Sequence, residues 1–196
     1  DGYVLADLDL DGYHDLVIAT EGLRIFHGGP EGPGPDRFPD LGVDASGYVM
    51  QVQVADFNGD GYLDAFVTNN GAGNTVWIND RTGSFTDTGQ SLGTAKSLTV
   101  ELGDLNGDGD LDAFIGNDDG PNAVWLGDGT GQFVSNGQTT LGNDRSFGVG
   151  LGDLDGDGDL DAVVAAISQP TYLWTNDGTG TFTNSGQALG NTGATS

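Results

Sequence analysis

The stretch Asp153-Leu-Asp-Gly-Asp-Gly-Asp-Leu-Asp161 decides the reading, because the chain carries it four times. The other copies are Asp7-Leu-Asp-Leu-Asp-Gly-Tyr-His-Asp15, Asp56-Phe-Asn-Gly-Asp-Gly-Tyr-Leu-Asp64 and Asp104-Leu-Asn-Gly-Asp-Gly-Asp-Leu-Asp112. Their first aspartates lie 49, 48 and 49 residues apart, so the loop marks a repeat. Side-chain oxygens at positions 1, 3 and 5 of a curled loop converge on one point. Position 6 is Gly12, Gly61, Gly109 or Gly158, where a positive φ is expected. Position 7 can offer its backbone carbonyl, and the final Asp can close the sphere. An all-oxygen cage with several negative charges suits a hard divalent cation, and its flexible geometry favours Ca²⁺ over Mg²⁺.

The sequence also tests the rival calcium loop. An EF-hand ends in a bidentate Glu at position 12, whereas that position holds Ile18, Val67, Ile115 and Val164 here. The EF-hand reading therefore fails. Ordinary Asp/Gly turns would explain one such loop, but not four in register.

The segments around the loops read as strands. Tyr3-Val-Leu-Ala6, Met50/Val52/Val54, Leu98/Val100/Leu102 and Phe147/Val149/Leu151 enter the loops with period two. Short apolar runs leave them: Leu16-Val-Ile18, Ala65-Phe-Val67, Ala113-Phe-Ile115 and Ala162-Val-Val164. Third strands are expected at Leu23–Phe26, Thr75–Ile78, Ala123–Leu126 and Thr171–Trp174. Tight hairpins such as Asn79-Asp-Arg-Thr-Gly83 follow, and fourth strands begin at Phe85, Phe133 and Phe182. In the first unit the Pro-rich run 28–35 replaces the hairpin and reads as an exposed loop. The expected fold is all-β: a β-propeller of four-stranded antiparallel blades, approximately 1–46, 47–95, 96–144 and 145–196. Start and end share nearly one phase of the repeat, so a segment of a longer propeller is expected in preference to a closed four-bladed one.

The calcium loop, its apolar strand and the later Trp-x-Asn-Asp-Gly-Thr-Gly-x-Phe pattern resemble the FG-GAP/VCBS repeat over nearly the whole chain. That repeat builds calcium-loaded β-propellers in integrin α-subunit heads, some fungal lectins and many secreted bacterial proteins. The resemblance implies four Ca²⁺ sites with ligands from loop positions 1, 3, 5, 7 and 9. The first site would use Asp7, Asp9, Asp11, the Tyr13 carbonyl and Asp15. The second would use Asp56, Asn58, Asp60, the Tyr62 carbonyl and Asp64, and the third Asp104, Asn106, Asp108, the Asp110 carbonyl and Asp112. The fourth would use Asp153, Asp155, Asp157, the Asp159 carbonyl and Asp161. The family's propellers usually have seven blades, which this chain does not supply.

Composition narrows the function. The 196 residues carry a formal net charge of −25 and no cysteine. Without a basic stripe the chain is not expected to bind nucleic acid, nor to insert directly into a membrane. Trp77, Trp125 and Trp174 recur at one position, with Phe26 in the first unit; blade packing is expected of them before a sugar platform. The only histidines, His14 and His27, sit beside neither a second nitrogen ligand nor a nucleophile in sequence. They are assigned no catalytic or zinc role, and no enzyme activity is expected. The leading function is a calcium-stabilised extracellular or cell-surface module that contacts proteins or glycans. The alternatives are a non-catalytic propeller part of a larger secreted enzyme and a structural spacer of a surface assembly. Further blades from the same or another chain would be partners of the array.

Overall fold

The computed structural model describes residues 2–19, 23–32, 48–143 and 145–190. Their regular structure is entirely β, and no helix is long and apolar enough to cross a membrane. Each repeat forms one antiparallel sheet whose strands pair in chain order. The first sheet contains β1 (Tyr3–Ala6), β2 (Asp15–Ala19) and β3 (Leu23–Phe26). The fourth strand expected for blade 1–46 falls on 33–47, outside the described residues. The second sheet contains β4 (Tyr48–Ala55), β5 (Asp64–Asn70), β6 (Thr75–Asn79) and β7 (Phe85–Asp87). The third contains β8 (Ser97–Gly103), β9 (Asp112–Asn117), β10 (Ala123–Gly127) and β11 (Phe133–Ser135). The fourth contains β12 (Ser146–Gly152), β13 (Asp161–Ala166), β14 (Thr171–Asn176) and β15 (Phe182–Leu189).

The chain divides into two compact units, Asp1–Thr94 with Gly129–Gln132, and Ala95–Asp128 with Phe133–Ser196. Within the first, Leu8, Val17, Leu23 and Ile25 pack with Val52, Val67, Trp77 and Phe85. Within the second, Leu105, Phe114, Val124 and Leu141 pack with Val164, Trp174 and Phe182. Phe114 meets Phe182 edge to face at 5.1 Å between ring centroids, a favoured aromatic geometry. Trp77 and Trp174 are each only 6 % exposed, so packing and not a stacking platform accounts for those two rings.

The second strands β5 and β9 are buried on both faces, which is why their sequences run apolar without alternating; β13 is buried less completely. Val67, Ile115 and Val164 are buried inside them, at the position where an EF-hand would need its glutamate. The entry strands depart from simple alternation. Their register slips between Val49 and Gln51, Ser97 and Thr99, and Ser146 and Gly148. A bulge at the same place in each of the last three repeats puts Met50, Leu98 and Phe147 out of phase with the residues that follow, whereas β1 pairs with β2 in unbroken register.

The hairpins follow their turn chemistry. Asp80 N–H donates to the Ser84 carbonyl at 2.8 Å and Asp177 N–H to the Thr181 carbonyl at 3.2 Å. Inside these turns the Asp80 and Asp177 carboxylates accept from the Thr82 and Thr179 amides, respectively.

Candidate metal centres

The four loops fold alike because each is held by its own side chains. The position-1 carboxylate accepts from the amide of the position-6 glycine: Asp7 from Gly12, Asp56 from Gly61, Asp104 from Gly109 and Asp153 from Gly158, at 2.8–3.2 Å. The side-chain oxygen of position 3 accepts from the position-5 amide, through Asp9, Asn58, Asn106 and Asp155. Position 5 in turn accepts from position 7, pairing Asp11 with Tyr13, Asp60 with Tyr62, Asp108 with Asp110 and Asp157 with Asp159. The oxygens of positions 1, 3 and 5 are thereby turned inward along the curl. Gly12, Gly61, Gly109 and Gly158 have φ of 90, 89, 92 and 99°, as the sequence leads one to expect.

Position 9 has a second duty. Asp15, Asp64, Asp112 and Asp161 are fully buried and open the second strands. One oxygen of each accepts from the position-2 amide, that of Leu8, Phe57, Leu105 or Leu154. The other accepts from an amide at the end of the third strand, that of Asn79, Gly127 or Asn176, or two residues past it, that of Gly28. Each of these carboxylates therefore clamps its loop to two strands and keeps a lone pair on each oxygen for a cation. The sequence shows the carboxylate but not this clamp.

Ligand atoms are already gathered. Asp7, Asp9 and Asp11 form one trio and Asp153, Asp155 and Asp161 another, each within 4.8 Å of one another. Tyr13, Tyr62, Asp110 and Asp159 hold position 7, with their amides engaged as above and their carbonyls as the expected contributors. Burial pushes the Asp112 carboxyl up from 3.8 to about 6, with the charges of Asp108 and Asp104 adding to it. Asp64 shifts the same way, again through burial first. Asp155 and Asp159 are raised by desolvation and by neighbouring carboxylates. In the second, third and fourth loops, oxygen-only donors carrying excess negative charge fit a hard divalent cation.

Several residues outside the loops support them. The Asn79 side-chain amide donates to the carbonyls of Leu8 (2.9 Å) and Leu63 (3.0 Å). Asn176 does the same to Leu105 and Leu160. Gln138 accepts from the Phe182 amide and donates to the Phe182 carbonyl. Position 4 also has positive φ: Gly59, Gly107 and Gly156 at 71, 76 and 86°, but Leu10 at 60° in the first loop. His14 lies exposed at position 8, whereas the His27 ring reaches back to Asp9 and Asp15.

No curated protein matches the chain. The model of the FG-GAP-like repeat matches residues 7–67, 56–115, 104–164 and 153–196, each match beginning at the first aspartate of a loop. With matches that together run from the first loop to the last residue, the chain belongs to the FG-GAP-like repeat family.

Proposed function

We propose that this chain is a calcium-stabilised, β-propeller-like module of the extracellular or cell-surface environment, displaying its loops to a protein or glycan. The single observation that carries the reading is the fourfold loop, in which the same hydrogen bonds fix the oxygen-bearing side chains of positions 1, 3 and 5. Ca²⁺ would be held by the side chains of positions 1, 3, 5 and 9 and the carbonyl of position 7. When bound, it supplies the positive charge that the loop carboxylates lack. Sites of this kind in extracellular modules have Kd of about 10⁻⁴ to 10⁻³ M, which fills them outside cells and leaves them empty in cytosol. The carboxylates are committed to loop hydrogen bonds, and FG-GAP-like repeats are typically non-catalytic, so the module is a scaffold and not an enzyme. Equilibrium dialysis against ⁴⁵Ca²⁺ tests this. Saturable binding at several sites per chain, reduced by one site in Asp157→Ala, is expected; no binding at millimolar calcium would refute it.

A further inference from the structure

The first loop differs from the other three by one nitrogen. The residue after the third-strand aromatic is His27 in the first repeat and Ile78, Leu126 and Thr175 in the others. In the second and third repeats this is a packing position: Ile78 and Leu126 lie against the hairpin glycines Gly131 and Gly180, where a Cβ would crowd them. His27 uses the same cradle. A Cβ on Gly83 would collide with its Cε1, so glycine there admits the ring. Unlike its apolar counterparts, the ring then turns Nδ1 into the loop, 3.4 Å from Asp9 Oδ2 and 3.2 Å from Asp15 Oδ1. Nδ1 is shielded from solvent, and the ligand atoms of Asp9, Asp15 and His27 all lie within 4.8 Å of one another.

We infer that the first loop is a mixed nitrogen–oxygen site that binds a borderline transition cation, Zn²⁺ in the first instance, in preference to Ca²⁺. Zn²⁺ binds imidazole nitrogen and carboxylate oxygen at about 2.0–2.2 Å, which places neighbouring ligand atoms roughly 3.0–3.5 Å apart. The two nitrogen–oxygen separations fall in that range. Hard Ca²⁺ has no use for imidazole, whereas ions later in the first transition row favour it. Asp15 is oriented by the Leu8 and Gly28 amides at 2.8 and 2.7 Å, the outer hydrogen bonds that hold a ligand carboxylate in place. Three protein ligands leave a further position open, to water or to another loop oxygen. The inference shares the loop scaffold with the calcium reading but does not require calcium in the other loops.

The test uses the whole ¹⁵N-labelled chain, titrated with ZnCl₂ in saturating Ca²⁺ and again in calcium-free buffer. Imidazole ¹⁵N spectra should show one histidine, His27, with Nδ1 moving to a metal-bound position at one equivalent, while His14 stays unmoved. Competition with a chelating dye should give a Zn²⁺ affinity at least about tenfold weaker in His27→Leu, a side chain this position carries as Leu126. His14→Gln should bind as the parent does. The inference is overturned if no Zn²⁺ binds, if Zn²⁺ binds while His27 Nδ1 stays unmoved, or if His27→Leu binds as tightly as the parent. The spectra of the unsubstituted chain decide the matter even if a variant folds poorly. Failure of calcium binding elsewhere would leave the calcium-free titration intact, so the two readings fail separately.

Discussion

Asn176 donates through Nδ2 to the carbonyl oxygen of Leu105 at 2.7 Å, joining residues 71 positions apart. Leu105 is position 2 of the third loop, and the same amide reaches Leu160 at position 8 of the fourth loop. One side chain therefore ties the loops of consecutive repeats together. Asn79 makes the equivalent link from Leu63 to Leu8 in the first unit, over the same 71 residues.

Asn176→Ala should accordingly cost about 2 kcal/mol, because one buried and one part-buried carbonyl lose their donor at once. Urea unfolding of the calcium-loaded protein measures it, with Asn79→Ala expected to cost a similar amount. A loss below about 0.5 kcal/mol in both would show that the link is incidental.

Leu10 pays for its place in the first loop. It takes φ of 60° where the other loops use glycine, and its side chain is 57 % exposed, so packing offers little return. Leu10→Gly should stabilise the chain by roughly 0.5–1 kcal/mol through relief of the left-handed backbone. Gly156→Leu in the fourth loop should cost a comparable amount, both read as shifts in unfolding midpoint.

Arg81 places Nε 3.1 Å from Asp60 Oδ2. The Asp60 carboxyl is held below its usual range, first by the Tyr62 amide and then by this guanidinium. The second loop thus carries an internal cation beside a proposed ligand oxygen. Arg81→Gly, the residue found at the equivalent positions 129 and 178, should tighten calcium binding at this loop several-fold. Calorimetric titration of the two proteins gives the comparison.

Metal-free chain should show an unusual pH dependence. The folded Asp112 carboxyl titrates at about 6, above its ordinary 3.8. Its protonated form is therefore favoured by folding: this stability is fully present below the unfolded value and is lost as pH rises through about 6. In chelator, the urea midpoint should fall between about pH 4 and 7, and Asp112→Asn should flatten that slope. Calcium, by holding the Asp112 carboxylate ionised as a ligand, should remove the trend.

The loops and strands were legible because their determinants are short-range. A carboxylate that accepts from an amide four or five residues on declares itself in a nine-residue window, and so does a buried β-branched run. Even the starts of the last strands, at Phe85, Phe133 and Phe182, fall where the pattern puts them. What escaped was long-range or dual-purpose. Nothing near Asn176 in sequence points to Leu105. The buried clamp of Asp161 looks like one more ligand, and the bulges at Met50, Leu98 and Phe147 hide inside an apparently regular alternation. His27 shows no partner in its own stretch of sequence because Asp9 and Asp15 lie in another strand–loop segment, brought close by the antiparallel pairing of β2 with β3.

If the loops hold calcium in the folded protein, the fold should depend on it. Equilibrium unfolding in urea, with excess chelator and then with calcium at about a hundred times its Kd, tests this most directly. Each site filled only in the folded state should add about 2.7 kcal/mol, so filling the second, third and fourth loops should move the midpoint far to higher urea. Asp157→Ala should lose about one site's share. Identical unfolding curves with chelator and with calcium would contradict the account.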